Sequence, residues 1–275
     1  MRIWLRCAVV TGVAIGVLGS ASTALAGAAQ DPAAAAQQAP SVARTPAARD
    51  DGRRTMGRLP ANFLRGTVGL FNTDNLEPLL IGGAATGSAA IFDDQVADAI
   101  ADPDHNFGQL FEGGAHPAVF GAAVTVLFAV GRTVEAPRFR DVTYDWLEAY
   151  FLNAGLTNLL KVTVGRERPN GEDDMSFPSG HASTAFTLAA VAERHFGWKV
   201  GAPAYMIAGA IAVSRLQRNK HYLSDVVAGA TLGYIVGRTV VRANSKPFEA
   251  PRGPQFSLTP MITRHGRALV AGITF

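Results

Sequence analysis

The feature of this sequence that most constrains its fold is the length of its apolar stretches between residues 59 and 242. Short segments containing glycine, proline, asparagine or aspartate separate them, and the two-residue alternation typical of half-buried strands is absent from this region. In one stretch, larger side chains recur at intervals of three or four residues: Trp146, Tyr150, Asn153, Leu156 and Leu160. Because that spacing places side chains on one face of a helix, the sequence predicts an all-α helical bundle.

The apolar stretches give the approximate positions of the helices. We predict six of them, over residues 76–91, 116–134, 139–163, 180–195, 199–217 and 222–241. The tail, residues 243–275, differs because apolar residues alternate with others on both sides of the segment 264–267. That alternation predicts a small carboxy-terminal β-hairpin.

The amino terminus has the pattern of a secretory signal. Arg2 and Arg6 precede an apolar run over residues 7–19. Ala24–Ala26 then supplies a small-x-small cleavage pattern. The run is too short for an ordinary membrane-spanning helix, so we interpret residues 1–26 as a cleaved signal, with an uncleaved anchor as the alternative. Residues 27–58, rich in alanine and proline, are predicted to form a flexible linker.

Composition excludes several classes of protein. The 25 basic and 22 acidic residues nearly balance, whereas a nucleic-acid-binding protein normally carries a basic stripe, so we expect no nucleic-acid partner. The only cysteine, Cys7, lies within the predicted signal, which excludes a disulfide framework and a cysteine-ligated zinc site. A mature chain without thiols suits the oxidising periplasm, and we therefore predict an exported, periplasmic protein.

The first chemistry-bearing block runs from Lys161 to Pro169. Lys161 and Arg168 lie seven positions apart, so on a continuous helix both would point to one side with Cα atoms about 10 Å apart. Two long cations at that separation can converge on one small anion. Pro169 is expected to end the helix. Taken alone, the block also fits a solvated basic face, and Arg166 within it is interpreted as a solvated charge.

The second block surrounds Ser179, Gly180 and His181. Ser179 is a favourable helix N-cap because an apolar helix follows at once, which leaves the amides of Gly180, His181 and Ala182 unpaired. A helix amino terminus of this kind binds phosphate oxygens, and Gly180 allows close approach to the backbone. An ordinary capped helix with an incidental histidine is the alternative. The histidines outside the blocks, including His116 and His195, are interpreted as ordinary surface or core residues.

The third block contains Arg215, His221 and Asp225. His221 and Asp225 lie four positions apart, so on a helix they would be neighbours, and the carboxylate would fix the tautomer of the imidazole. The other ring nitrogen would keep its lone pair, as a nucleophile requires. Arg215 adds a bidentate donor for phosphate oxygens. A surface histidine–aspartate pair is the alternative.

Together, the three blocks resemble the type 2 phosphatidic acid phosphatase (PAP2) and vanadium haloperoxidase superfamily, and every motif position is present. The resemblance covers residues 161–225 and implies that family's all-helical domain, here placed over 59–242. It implies that His221 is the nucleophile that forms a phosphohistidine, that Asp225 orients it, and that His181 protonates the leaving oxygen. It also implies a phosphate-binding set: Lys161, Arg168, Ser179, Gly180 and Arg215.

The resulting hypothesis is an acid-phosphatase-like or phosphatidate-phosphatase-like enzyme that needs no metal or cofactor. It would act on a small phosphomonoester, a lipid phosphate or a lipid diphosphate. Two alternatives stay open: a vanadate-dependent haloperoxidase, and a non-catalytic envelope protein that binds lipid or anions. The longest uncharged runs are shorter than the roughly 20 residues of a spanning helix, so a soluble or peripherally attached bundle is expected, with embedding in the inner membrane as the alternative.

Overall fold

A computed structural model of the chain describes residues 52–102, 107, 111 and 116–245, and the backbone of 255–263 and 266–274. The predicted signal and most of the predicted linker lie outside these residues. Eight α-helices are present in the described part: α1 (Leu59–Gly69), α2 (Leu76–Ala90), α3 (Asp93–Ile100), α4 (Pro117–Thr133), α5 (Pro137–Val164), α6 (Gly180–Phe196), α7 (Trp198–Gln217) and α8 (Leu223–Ser245). The predicted all-α class is confirmed.

All six predicted helices are present, with ends that differ by at most a few residues. The largest difference is at α8, which continues to Ser245 and so passes the predicted boundary of the body at residue 242. Helices α1 and α3 were not predicted from the sequence. Helix α1 has a proline in its first turn and two glycines, and α3 has only eight residues with three aspartates, so neither shows a long apolar stretch.

The tail forms the two-stranded hairpin that its alternation predicted. Strand β1 (Gln255–Thr263) pairs antiparallel with β2 (Gly266–Thr274), and Thr263 lies opposite Gly266 at the closed end.

Helix α6 is the centre of the bundle. It packs against α5, α7 and α8, and Ala182, Ala190 and Val191 along it are fully buried. Val191 joins a core cluster that contains Val142 of α5 and Val240 of α8. Since α6 begins directly after Ser179, its amino terminus carries the second sequence block into the middle of the helical assembly.

A stripe of three glycines on α8 brings its backbone against that of α6. A Cβ atom at Gly233 would lie 2.2 Å from the Ser183 carbonyl oxygen, and one at Gly229 would lie 2.6 Å from that of Ser179. Gly237 continues the stripe one turn further. Any larger side chain would force the helices apart, so the glycines fix α8 beside the start of α6.

The last residues of the predicted linker are part of the folded body. Met56–Arg58 form a 3₁₀ turn, and Arg54 is buried against Asp145 of α5. The linker prediction therefore does not hold for residues 52–58, because a buried arginine paired with a buried aspartate anchors them.

Candidate active site

Six of the eight predicted site residues line one cavity of about 310 Å³, at the end of the bundle where α5 finishes and α6 and α8 begin. They are Lys161, Arg168, Gly180, His181, Arg215 and His221. The other two, Ser179 and Asp225, lie behind the cavity wall and are fully buried. His116, Pro117, Glu172 and Lys220 complete the lining. Sequence reasoning assigned none of these four to the site.

The first block does not have the helical geometry predicted for it. Helix α5 ends at Val164, four residues before Arg168, because Gly165 adopts the left-handed conformation (φ 57°) that terminates helices. Lys161 therefore lies in the last turn of α5, whereas Arg168 lies in the following loop. Arg168 is held there by Asp173, whose Oδ1 accepts from its Nε at 2.6 Å, and by the Lys220 carbonyl. Both cations still reach the cavity.

Ser179 caps α6 as predicted, but one of the three amides that were predicted to be unpaired has a partner. The Ser179 hydroxyl accepts from the Ala182 N–H, so that amide is not left for a ligand. Gly180 and His181 remain in the first turn, where backbone N–H groups have no acceptor within the helix. A Cβ at Gly180 would lie 3.8 Å from Lys161 Cε, in ordinary van der Waals contact, and would therefore take up cavity space.

His181 lies at the cavity edge in an environment that disfavours its charged form. Its Nε2 is buried and has no hydrogen-bond partner among the residues that the structure describes. The His116 ring meets it edge to face, with 5.8 Å between centroids. Burial, and after it the charge of Arg215, lowers the pKa of His181 to about 2. His181 is consequently neutral when the cavity holds no anion.

The tautomer of His221 is set by a backbone carbonyl. Its Nδ1 lies 2.8 Å from the Ser176 carbonyl oxygen, which can only accept, so Nδ1 carries the hydrogen. Nε2 then keeps its lone pair, which accepts a long hydrogen bond (3.4 Å) from Arg168 Nη1 at the cavity. Burial is the largest of the effects that lower the pKa of His221 to about 4, which keeps this nitrogen unprotonated at neutral pH.

The predicted direct bond between His221 and Asp225 is not present in this geometry. His221 Nδ1 and Asp225 Oδ2 are 3.8 Å apart, because His221 precedes the first residue of α8 and the helical four-residue spacing does not apply. Ser176 connects the two instead: its hydroxyl donates to Asp225 Oδ2, and its carbonyl accepts from His221. Ser176 is fully buried and was missed by sequence reasoning, since a serine between two blocks carries no distinctive signal.

Asp225 is held on both of its oxygens. Its Oδ2 also accepts from the Tyr222 N–H at 2.8 Å, and its Oδ1 accepts from Arg166 Nη1 at 2.9 Å. Burial raises the pKa of a carboxyl, but the contacts with His221, Ser176 and Arg166 outweigh that effect, so the pKa of Asp225 lies below its ordinary value. The carboxylate is therefore ionised behind the site.

Arg166 is not the solvated charge predicted for it. Its guanidinium contacts Asp225, the Ser224 hydroxyl at 2.7 Å and Asp93 Oδ2 at 2.9 Å, and lies 4.0 Å from the centroid of the Tyr222 ring. Asp93, at the start of α3, accepts from the Ser224 N–H as well. Arg166 thus ties α3 and α8 together at Asp225. Its place inside the first block was the only sequence signal for this role.

Comparison with known proteins places the site in a family. Residues 144–249, which contain all three blocks, match the model of the PAP2 superfamily. The chain is 34% identical over 111 residues to the lipid A 1-phosphatase of Porphyromonas gingivalis, covering 39% of this chain and 25% of that protein. It is 27% identical over 127 residues to a PA-phosphatase related-family protein of Dictyostelium discoideum, covering 36% of this chain and 47% of that protein. The matched part thus spans a quarter to a half of these relatives.

Among solved structures, the chain is similar to a transmembrane PAP2-type phosphatidylglycerolphosphate phosphatase from Bacillus subtilis. The two are 19% identical, with a TM-score of 0.41, over 66% of this chain and 92% of the other. The resemblance to the PAP2 superfamily that the sequence motifs suggested is confirmed for residues 144–249 by the match to the family model.

Proposed function

Given that residues 144–249 belong to the PAP2 superfamily, we propose that the protein is a phosphatase that hydrolyses a phosphorylated lipid. The observation that carries the proposal is the His221 Nε2 lone pair, which faces a cavity lined by Lys161, Arg168 and Arg215. Three cations can neutralise a phosphate dianion, and a neutral imidazole can attack its phosphorus.

The proposed reaction has two steps. His221 Nε2 attacks phosphorus while the bond from phosphorus to the leaving oxygen breaks, and His181 gives that oxygen a proton. A phosphohistidine and the free alcohol result. Water then attacks the phosphohistidine with His181 accepting its proton, which releases inorganic phosphate and restores His221. Asp225 acts on His221 through Ser176, as a positioning residue, and stabilises the positive charge that develops on the ring.

Substrate binding supplies the conditions under which His181 can act as an acid. With the cavity free of anions, the charge of Arg215 and the burial of the ring keep its pKa low. A phosphate group beside these cations offsets their charge and raises the pKa of His181. His181 therefore takes up its proton together with the substrate, and the proton is in place when the leaving group departs.

A lipid substrate is supported by the surface beside the cavity. On the last turns of α5, next to Lys161, Leu159 is 59% and Val162 is 71% exposed. Exposed large apolar residues also occur on α1, α2, α4 and α7, a distribution unusual for a protein surrounded only by water. The names of the two curated relatives point to lipid phosphates as well. We therefore place the working enzyme at a membrane, with the cavity mouth near the lipid headgroups.

Whether helices cross the bilayer is a separate part of the proposal. In the described residues, α8 is the one helix long and apolar enough to span by composition, and 56% of its apolar window is buried inside the protein. We retain peripheral attachment on the periplasmic side, with embedding as the alternative. Carbonate extraction from membranes supports peripheral attachment, whereas release only by detergent overturns it.

The decisive test is phosphate release from a panel of substrates by the full chain. The panel contains a phosphorylated lipid, a polyprenyl diphosphate, a soluble sugar phosphate and p-nitrophenyl phosphate. We expect the highest kcat/KM on a lipid substrate and an acid-labile phosphoprotein that is lost in His221→Ala. Halide oxidation with added vanadate, without phosphate release, would instead identify a haloperoxidase. Preference for the sugar phosphate would overturn the lipid assignment.

A further inference from the structure

His116 lines the proposed phosphatase cavity but has no part in the reaction described above. It is the N-cap residue of α4, and its Nδ1 accepts from the Ala118 N–H at 3.2 Å. A neutral imidazole that accepts through Nδ1 carries its hydrogen on Nε2, which points away from the helix that the ring caps. None of the described residues accepts a hydrogen bond from this Nε2–H, which therefore remains a donor at the cavity.

The position of His116 is fixed by contacts at the start of α4. The Tyr150 hydroxyl on α5 donates to the Pro117 carbonyl at 2.8 Å. A Cβ at Gly121 would lie 2.6 Å from the same hydroxyl oxygen, so the backbone of α4 lies directly against the Tyr150 ring. A Cβ at Gly180 would lie 4.0 Å from Pro117 Cγ, which shows that the start of α4 adjoins the start of α6. His116 is therefore held beside the proposed phosphate-binding turn.

Three histidines line the cavity, and their exposure to solvent increases from one to the next. His221 is buried, His181 is partly buried and His116 is exposed. The rings of His181 and His116 meet edge to face, with 5.8 Å between centroids. In the proposed reaction, phosphorus lies at His221 and the leaving oxygen lies at His181. The atoms beyond the leaving oxygen must then extend toward solvent, past His116.

We propose that the Nε2–H of His116 donates a hydrogen bond to an oxygen of the leaving group, a few bonds beyond the oxygen that His181 protonates. This role rests on the proposed phosphatase function and specifies its substrate further, because the leaving group must carry an acceptor oxygen close to the bond that breaks. The ester and hydroxyl oxygens of a glycerolipid meet this requirement, as do the oxygens of the second phosphate in a diphosphate. A plain hydrocarbon chain on a single phosphate does not.

The test compares three substrates that differ in the oxygens of their leaving groups. Dihexanoyl phosphatidate offers ester oxygens, geranyl diphosphate offers a second phosphate, and hexyl phosphate offers neither. His116→Asn keeps a favourable N-cap, because the side-chain oxygen can replace Nδ1, but it removes the Nε2–H. We expect kcat/KM of the full chain to fall about fivefold to tenfold on an oxygen-bearing substrate, as for one lost hydrogen bond, and less than about twofold on hexyl phosphate. The larger of the two losses identifies whether the oxygen belongs to an ester or to a second phosphate.

A second substitution separates this contact from the capping role of His116. His116→Gln places an amide N–H near the position of Nε2 but is a poorer N-cap. It should therefore recover kcat/KM on the oxygen-bearing substrate while lowering the melting temperature, and His116→Asn should do the reverse. His195→Asn, at a histidine outside the cavity, is the matched control, and it should change the ratio of kcat/KM between substrates by less than about twofold.

Inhibition by inorganic phosphate provides a further check. It should change less than about twofold in His116→Asn, since phosphate carries nothing beyond the leaving oxygen and loses no hydrogen bond. Clearly weaker inhibition would place His116 among the phosphate-binding groups and overturn the proposal.

The kinetic outcomes that contradict the proposal are distinct. A loss on hexyl phosphate as large as on both other substrates overturns it, because His116 would then act through His181 or through the fold. A greater kinetic loss in His116→Gln than in His116→Asn overturns it too, since activity would follow the cap instead of the donor. If the wild type releases phosphate from none of the three substrates, the phosphatase function itself is overturned, and this role of His116 with it.

Discussion

Two fully buried aspartates, Asp225 and Asp145, have the same types of neighbouring residue, but a cavity lies beside the histidine of only the first of them. Each contacts an arginine, Arg166 or Arg54, and each has a histidine nearby. Asp145 accepts two hydrogen bonds from Arg54, from Nε to Oδ1 at 3.0 Å and from Nη2 to Oδ2 at 2.8 Å. Its Oδ2 also lies 2.8 Å from His195 Nε2. Asn244 supplies a further hydrogen bond to it at 2.8 Å.

The two clusters differ in what the ring nitrogens of the histidine contact. At Asp145, the ring nitrogen of His195 is engaged directly with the carboxylate, and the cluster fastens Arg54 to α5. At Asp225, the N–H of His221 goes to the Ser176 carbonyl, and Nε2 remains at a cavity with three cations. A buried aspartate, histidine and arginine in contact are therefore not enough to indicate catalysis. The distinction is the second ring nitrogen of His221, which faces the cavity and is contacted there by the phosphate-binding candidate Arg168.

The largest expected effect separates the two histidines. His221→Ala should abolish both turnover and the phosphohistidine, because it removes the proposed nucleophile. His195→Ala should keep turnover but lower the free energy of unfolding by about 1–3 kcal/mol, since Asp145 loses a partner inside the protein. Phosphate release, labelling quenched with base and denaturant titration measure the three quantities. Turnover by the His221→Ala variant would contradict the assignment of His221 as nucleophile, and with it the contrast between His221 and His195.

His181→Ala should reduce the rate in a manner that depends on the leaving group. We expect a loss of about 10²–10⁴-fold on an alkyl phosphate, where the departing oxygen needs a proton. The loss on p-nitrophenyl phosphate should be much smaller, because p-nitrophenolate departs without one. Steady-state kcat on both substrates provides the measurement. Equal losses would assign His181 to phosphate binding.

The two arginines should also behave differently. Arg166→Gln is expected to lower kcat by up to about 10²-fold with little change in KM, since a shift of Asp225 and Ser176 misplaces the nucleophile. Arg54→Gln should instead cost about 3–5 kcal/mol of stability, because it leaves Asp145 without its buried counter-charge. Kinetics at a temperature where both variants are folded separates the effects. A KM change alone in Arg166→Gln would contradict a positioning role.

The pH dependence of kcat/KM should follow two groups of the free enzyme. His221 must be neutral to attack, and its pKa is lowered to about 4, so activity should fall as pH drops through that value. Lys161 must be charged to bind phosphate, and burial lowers its pKa to about 8, so activity should also fall as pH rises through 8. Lys161→Arg should move the alkaline limb upward. An alkaline limb unaffected by that change would exclude Lys161 as its source.

Glu148 belongs to the Asp145 cluster, because Asn244 Nδ2 donates to both carboxylates at 2.8 Å. In this cluster, pH should change stability instead of rate. Burial raises the pKa of Glu148 to about 7, above its ordinary value of 4.5. The folded protein thus binds a proton that the unfolded chain releases, and this contribution to stability should decline as pH rises from about 4.5 through 7. Glu148→Gln should flatten that decline in denaturant titrations. If stability declines equally with pH in the wild type and in Glu148→Gln, a group other than Glu148 causes the decline.

Local patterns allowed the sequence to predict the six long helices and six of the ten residues that line the cavity, but not the connections between helices. The six long helices and the cap at Ser179 follow from contiguous residues. Lys161 and Arg168 line one cavity although the helix predicted between them was wrong, because either backbone path lets long cations converge. Asp93 could not be predicted to contact Arg166, since that contact joins residues 73 positions apart through tertiary packing.

The glycine stripe on α8 has a consequence for how the proposed acid and nucleophile are spaced. His181 is the second residue of α6 and His221 lies two residues before α8, and these helices approach backbone to backbone at Gly229 and Gly233. The spacing between the backbones of the two histidines is therefore set by main-chain contacts, which do not depend on side-chain rotamers. Movements of exposed side chains on the outer surface leave that backbone spacing intact, so little structural reorganisation is needed when a phosphate enters.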